Sequence, residues 1–397
     1  RKPKNTYLCH MRILYISNST SGGGAPTSLF NLLSVLNTKH EIAVVMPSDK
    51  GMLYDMTEKL GIKSYTAKPY CLDVWPKVFN PIKLIKRLYS LYLNQTEVRA
   101  YIGAVIDEFK PDIVHTNVGP LAIAVHECAK RGIPHVWHMR EYQDKDFGMR
   151  FFPSKSIFRK MILQEGNYNL SITQDIFRHW NLRKGVDEVI YNGIRRSDTE
   201  VVPYVSQQPY FLYVARIEAS KGLMTLLRAF RLYNKNGGTR RLLVVGKPCG
   251  LYSFWCKAYV RLTGLRKSVS FAGYRTDIYS LMTAAEAFVM TSLSEGFGLT
   301  TAEAMLNRCL VIARNTAGSK EQLDRGFALT GSEIGLRFDT YTQLASHLHS
   351  IESEKNASIF ESMKVHAFNT VDELYTVGSY ASKVEEFYNK VLRSSNL

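Results

Sequence analysis

Two carboxylates, Glu295 and Glu303, bracket the run Gly-Phe-Gly-Leu-Thr-Thr-Ala and carry the strongest chemical signal in this 397-residue chain. An ionised carboxylate only accepts hydrogen bonds, so such a pair beside a glycine loop suits the hydroxyls of a sugar or ribose. A capping box, Thr300-x-x-Glu303, would explain the second carboxylate on structural grounds alone, whereas nothing local explains Glu295. Arg216 and Lys221 form a second group, between an apolar run and the helical stripe Leu223, Leu226, Leu227 and Phe230. A guanidinium fork and a point charge converging where a helix begins suit a diphosphate; the alternative is two solvated cations with Ser220 as N-cap. The triplet Gly22-Gly23-Gly24 opens a third loop, where absent side chains let a phosphate approach a helix N-terminus. Thr27 stands where a Gly-x-Gly-x-x-Gly motif needs its last glycine, and no Gly-Lys-Ser/Thr follows, so a plain flexible turn stays open. His138 and His115 each end an apolar run. His115 reads as a core residue and His138, followed by the polar Arg140-Glu141, as a site residue. Asp144-Lys-Asp146 has a metal-binding form, but no strand leads into it, and it reads as solvated.

The elements that must hold these residues alternate short β-branched runs with helical periods. Strands are predicted at 12–17, 41–46, 112–116, 135–138 and 189–191, and again at 210–214, 242–245, 269–271, 287–290 and 310–313. Leu29, Leu32, Leu33 and Leu36 mark the first helix, and 380–392 an amphipathic last one. A polar stretch with two prolines, 195–209, separates the series. This is an α/β chain of two parallel-sheet domains, in which ligands sit beyond the carboxyl ends of strands, where all four groups fall.

Composition agrees with a folded globular protein: 45% hydrophobic and 22% charged residues exclude collagen-like, disordered and disulfide-stapled classes. No apolar run reaches the ~18 residues of a membrane span, and Met11 reads as a natural start with residues 1–10 an upstream extension. The six cysteines show no zinc or Cys-x-x-Cys spacing, so neither a disulfide nor a structural metal is expected. The net charge of +16 divides as +9 over residues 1–200 and +7 over the rest. A protein this basic works on anionic partners, and the absence of zinc-finger, RNP-like and basic-tail signals argues against nucleic acid. Two acid-free windows interleave cations with apolar residues. Val74–Thr96 holds Lys77, Lys83, Lys86 and Arg87; Phe147–Gln164 holds Arg150, Lys155, Arg159 and Lys160. Both suit an anionic membrane surface, or equally the solvated faces of packed helices.

Together the loops resemble the retaining GT-B-fold glycosyltransferases of family 4, over nearly the whole chain. The residues that carry the likeness are Arg216 with Lys221-Gly222, Phe271-x-Gly273, Glu295-Gly-Phe-Gly through Glu303-Ala-Met, Val311-Ile-Ala with Gly318 and Glu321, the glycine loop, His138 and Tyr191-Asn-Gly. The resemblance implies two Rossmann-like doubly wound domains facing a central cleft. These would be an acceptor-side domain over 1–200 and a nucleotide-sugar donor domain over 201–379, with a last helix, 380–397, packing back on the first. It implies that Arg216 and Lys221 bind the donor diphosphate and Glu303 the ribose. Glu295 would hold the transferred sugar, supported by the amides of Gly298 and Leu299, and the backbone near Tyr274 would meet the base. Gly23 and Gly24 would approach the diphosphate, and His138 the sugar. The implied enzyme needs no metal or other cofactor and retains anomeric configuration by front-face attack. The implied acceptor is a glycan or polyprenyl-diphosphate-linked glycan of surface polysaccharide synthesis, at a cytoplasmic site peripheral to the inner membrane face. Three departures bear on specificity: Arg195 replaces the usual Asp after Asn192-Gly-Ile, Cys309-Leu310 a small residue and Pro, and Ala317 the first of two glycines. A non-catalytic nucleotide-sugar-binding relative is the second reading. An NAD-dependent dehydrogenase with Asp49 at the ribose distance is a remote third.

Overall fold

The computed structural model describes residues 10–76, 81–196 and 200–395, so most of the expected extension, with Cys9, and also Lys77 lie outside the described residues. The chain divides into two units, 1–193 with 377–397, and 194–376. In the first unit the elements run β1 (Arg12–Ile16), α1 (Gly24–Leu36), β2 (Glu41–Met46), α2 (Met52–Lys59), β3 (Lys63–Thr66), β4 (Val74–Pro76), α3 (Pro81–Leu93), α4 (Arg99–Phe109) and β5 (Ile113–Thr116). They continue with α5 (Val125–Arg131), β6 (His135–Met139), β7 (Met149–Phe151), α6 (Lys155–Ile162), β8 (Asn167–Ser171), α7 (Gln174–Trp180) and β9 (Glu188–Val189). The second unit holds β10 (Tyr210–Val214), α8 (Leu223–Lys235), β11 (Arg241–Val245), α9 (Gly250–Leu262), β12 (Val269–Gly273), α10 (Ile278–Ala284) and β13 (Ala287–Met290). It ends with α11 (Leu299–Leu306), β14 (Val311–Arg314), α12 (Ala317–Thr330), β15 (Leu336–Phe338), α13 (Tyr341–Ile351) and α14 (Ala357–Leu374), after which α15 (Val377–Ser395) rejoins the first unit.

The main sheets are ordered β3-β2-β1-β5-β6-β8-β9 and β12-β11-β10-β13-β14-β15, with every pairing in them parallel. Both are doubly wound and reverse direction beside β1 and β10, the switch points beyond which α/β sheets bind ligands. Ile13 to Ile16 are all fully buried, as a strand covered on both faces requires. The stripes Leu29, Leu32, Leu33, Leu36 and Leu223, Leu226, Leu227, Phe230 are fully buried as well. Among the described strands five escaped the sequence pattern, β4 and β7 as a separate antiparallel pair and three in the main sheets. β3 is Lys-Ser-Tyr-Thr with only Tyr65 inside, β8 is Asn-Tyr-Asn-Leu-Ser, and β15 is a three-residue edge. The first unit runs to Gly193, which packs so closely on α15 that a Cβ there would lie 2.7 Å from Val377 Cα at its start. Tyr380, Val384, Phe387, Tyr388 and Val391 of α15 join Tyr15, Leu29 and Leu36 in the core of the first unit.

Candidate active site

In the second unit the loops after β10 and β13 are laced together by backbone. Gly222 has φ 68° and approaches so closely that a Cβ would sit 2.1 Å from Thr291 O. Leu293 N donates to Ser220 O at 2.9 Å, and Thr291 Oγ1 to Lys221 O at 2.9 Å. That lacing brings Lys221 Nζ to 2.9 Å from Glu295 Oε2, with each side chain about one-fifth exposed. A third loop, at the start of α12, braces the second: Gly318 N donates to Glu295 O at 2.9 Å, and Gln322 Nε2 to Phe297 O at 2.6 Å. Arg216 is half exposed and reaches Glu218 at 3.1 Å. Tyr274, just after β12, is 75% exposed, which leaves its ring face open.

Gly298, at φ 88°, is the N-cap of α11 and makes no side-chain cap. Thr300 therefore lies inside the helix, and the capping-box explanation of Glu303 fails. Glu303 has partial solvent contact, yet burial pushes its carboxyl up to about 7. No described residue hydrogen-bonds or ion-pairs with that carboxylate; its electrostatic neighbour is the Tyr279 hydroxyl, which burial, and after it this carboxylate, pushes upward. An acceptor without a donor, in the second turn of α11, is equipped for a ligand hydroxyl.

In the first unit Gly23 caps α1 at φ 153°, Gly24 begins it, and neither a side-chain cap nor a first-turn acid occupies that N-terminus. Its opening amides are free for an anion. Beneath it lies a hub. Arg140 is 3% exposed and donates to neutral partners: Asn117 O and Oδ1, Ser28 Oγ, Asn192 Oδ1, Tyr380 Oη and His138 Nδ1, at 2.7–3.2 Å. Because a guanidinium only donates, His138 Nδ1 must accept, and the ring proton is left on Nε2. His115 Nε2, 3.2 Å from the same Nδ1, is then a donor too, and its Nδ1 accepts from Tyr388 Oη at 2.6 Å. Burial, with the Arg140 charge beside it, holds His138 well below the usual imidazole range, so the ring is neutral. Its Nε2 is buried and meets no partner among the described residues.

The predicted residues thus fall into two groups. Lys221, Glu295, Gly298 and Leu299 are assembled by interlocked loops of the second unit, which also carries Arg216, Tyr274 and Glu303; Gly23, Gly24 and His138 belong to the first. Several expectations need correction. Ser220 is no N-cap: its hydroxyl donates to Glu218, Lys221 closes a short turn, and Gly222 precedes α8. Asp144 and Asp146 are not solvated. The first contacts Lys155 and His179 at 2.7 and 3.1 Å, and the second is buried and accepts from Tyr142 N and Phe147 N. In the 147–164 window Phe151, Phe158 and Ile162 are buried, the first two stacked near Trp180, and of its large apolar residues only Phe147 and Ile157 are exposed. In the other window α3 does expose Ile82, Ile85, Tyr89 and Tyr92 beside Lys83 and Lys86. Arg140 was overlooked as a site element; its signal was a cation two residues after His138, on the same side of a buried strand end. No three His, Cys, Asp or Glu side chains among the described residues cluster to hold a metal, and no described helix is long and apolar enough to cross a membrane.

Two family profiles match the chain, Glycosyltransferase Family 4 over residues 22–198 and Glycosyl transferases group 1 over residues 195–361. Curated proteins give no match. Solved structures do. HepE of Anabaena in complex with UDP-glucose is 18% identical, covering 96% of this chain and 100% of its own at a TM-score of 0.75. The lipopolysaccharide outer core galactosyltransferase WaaB, in its apo form, is 19% identical over 97% of this chain and 99% of its own at 0.66. WaaG, a glycosyltransferase involved in lipopolysaccharide biosynthesis, is 14% identical over 95% and 99% at 0.64. These likenesses show the GT-B fold.

Proposed function

The chain is a GT-B glycosyltransferase, and from that premise we propose that it is a retaining, metal-independent enzyme moving a sugar from a nucleotide-sugar to a glycan or lipid-linked acceptor in surface glycan synthesis. The observation that carries this is the contrast between the two carboxylates: Glu295 is held by Lys221 at 2.9 Å, while Glu303 is desolvated and unpartnered. In this mechanism the donor diphosphate takes Lys221 Nζ and the Arg216 guanidinium, and the N–H groups of Gly298 and Leu299 at the head of α11 support the transferred sugar. Glu295, released from Lys221, accepts hydrogen bonds from the sugar, and Glu303 accepts them from the ribose. His138 Nε2–H donates to a sugar oxygen, and the exposed Tyr274 lies along the base. The bond between the anomeric carbon and the phosphate oxygen breaks as the acceptor hydroxyl attacks from the same face. The departing phosphate oxygen takes the acceptor proton. Charge developing on that leaving group meets fixed cations and amides, which is the service a divalent metal gives elsewhere. The exposed apolar residues and lysines of α3 support a cytoplasmic enzyme peripheral to an anionic membrane.

The test is a melting-temperature screen with UDP, GDP, ADP and their sugar conjugates in EDTA, followed by turnover with the one that binds. One nucleotide should raise the melting temperature in EDTA, fail to do so with Lys221→Ala, and turn over with retained anomeric configuration. Turnover that stops in EDTA and returns with Mg²⁺, or an inverted product, would overturn the mechanism. No shift with any nucleotide would overturn the donor site itself.

A further inference from the structure

In the second unit, α9 (Gly250–Leu262) buries one face and leaves the opposite face apolar and bare. Ser253, Cys256 and Val260 point into the core, at 8%, 0% and 4% exposure. Leu251, Phe254, Trp255 and Leu262, spaced i, i+3, i+4 and i+11, form one outward stripe at 77%, 61%, 61% and 87% exposure. Phe254 and Trp255 pack edge to face, with centroids 5.5 Å apart, into a single aromatic ridge. A helix apolar on both faces belongs in an interior or against a second surface, since a surface helix ordinarily turns its polar side to water.

The charge around the stripe identifies that surface. From Ala219 to Thr276 the sequence has twelve Lys and Arg and no Asp or Glu. Lys257 and Arg261 flank the stripe on α9 itself, Arg266 and Lys267 lie exposed in the short turn that follows, and Arg228, Arg231 and Lys235 are exposed on the neighbouring α8. The acids that bound this stretch, Glu218 and Asp277, are engaged by Arg216 and Arg275. We propose that α9 is a membrane-docking element that inserts Leu251, Phe254, Trp255 and Leu262 into the interface of an anionic lipid bilayer while its cations meet the headgroups. Trp, Phe and Leu over a ring of Lys and Arg is the composition interfacial helices use. A second copy of the chain is the poorer fit, because a two-fold pairing of this face would bring together two cation-bearing surfaces from a stretch that holds no acid. The inference goes beyond the proposed activity: it holds whatever the donor and acceptor are, and it concerns a surface separate from α3.

The experiment uses the full chain with phosphatidylcholine vesicles, with and without phosphatidylglycerol, in co-flotation and in quenching of tryptophan fluorescence by lipids brominated along the acyl chain. The protein should float with the anionic vesicles, release at high salt, and show quenching that disappears in Trp255→Phe. The triple variant Leu251→Ser, Phe254→Ser, Trp255→Ser should partition at least tenfold more weakly with its nucleotide-induced melting shift unchanged. Flotation undiminished in the triple variant and abolished by Ile85→Ser with Tyr89→Ser on α3 would overturn the assignment to α9 while leaving peripheral attachment intact. Absence of flotation, or self-association lost in the triple variant without any lipid binding, would overturn it outright.

Discussion

Glu303→Gln should make the protein more stable and a poorer enzyme, and both effects can be sized. Burial pushes this carboxyl from an ordinary 4.5 to about 7. Between those values the unfolded chain has the group ionised while the folded unit keeps it protonated. The folded state binds the extra proton, and stability falls as pH rises through the window. The interval of about 2.5 decades, at about 1.4 kcal/mol each, bounds the loss at about 3.5 kcal/mol. Partial solvent contact of the side chain reduces the expectation to about 2 kcal/mol. The amide carries no such penalty. The variant should melt roughly 4 to 8 °C above the parent at pH 8 and alongside it at pH 4.5. A carboxylate that accepts from ribose must shed its proton first, so the parent's donor KM should fall about tenfold from pH 6 to pH 8. An intact nucleotide-sugar has no monoester phosphate to titrate in that range, which isolates the protein's contribution. The variant's KM should be higher and flat. Calorimetry at the two pH values and initial rates against donor concentration read out both effects. A parent KM that does not change with pH, or a variant no more stable than the parent at pH 8, refutes the argument.

Four other perturbations follow from named contacts. Lys221→Ala strands Glu295 and removes a cation from the leaving group, so kcat should drop about 10²- to 10³-fold, measured with saturating donor. Gly222→Ala places a methyl 2.1 Å from Thr291 O at a positive φ, and should cost about 2–3 kcal/mol in denaturant melts as it pushes Lys221 away from Glu295. If His138 Nε2 is a donor, His138→Gln should keep kcat within about tenfold of the parent and His138→Leu lose about a hundredfold; equal losses would point to a base. Arg140→Lys, which leaves buried acceptors unfilled, should lower stability by about 2–4 kcal/mol while shifting the pattern of those His138 variants.

Strand ends, the leucine stripes of α1 and α8, and the glutamate and lysine loops were legible because each is a local pattern of burial or turn chemistry. What escaped depends on partners distant in sequence. Lys221 and Glu295 are 74 residues apart and meet only because Gly222 lets two loops touch. Gly318 and Gln322 brace the Glu295 loop from a third strand end, which no spacing rule announces. Arg140 looked like a polar afterthought to His138 until Tyr380, 240 residues later, supplied an acceptor. The basic window around α6 misled because its cations ring an aromatic core that the sequence alone could not turn inward. β3 and β8 were missed since their polar residues break the apolar alternation on which strand recognition depends.

The last helix also sets an order of events on the ribosome. Tyr380, Val384, Phe387, Tyr388 and Val391 complete the core around Tyr15 and Leu29, yet they are translated after the whole of the second unit. The first unit to emerge is therefore the last to finish folding. Until α15 arrives, the leucines of α1 and the buried tyrosine of β1 are uncovered, and Arg140 lacks its Tyr380 acceptor. A nascent chain in that state is a natural client for a holding chaperone. A truncation at residue 376 would unmake the half of the molecule that was synthesised first, while the half adjoining the cut keeps every element of its own sheet.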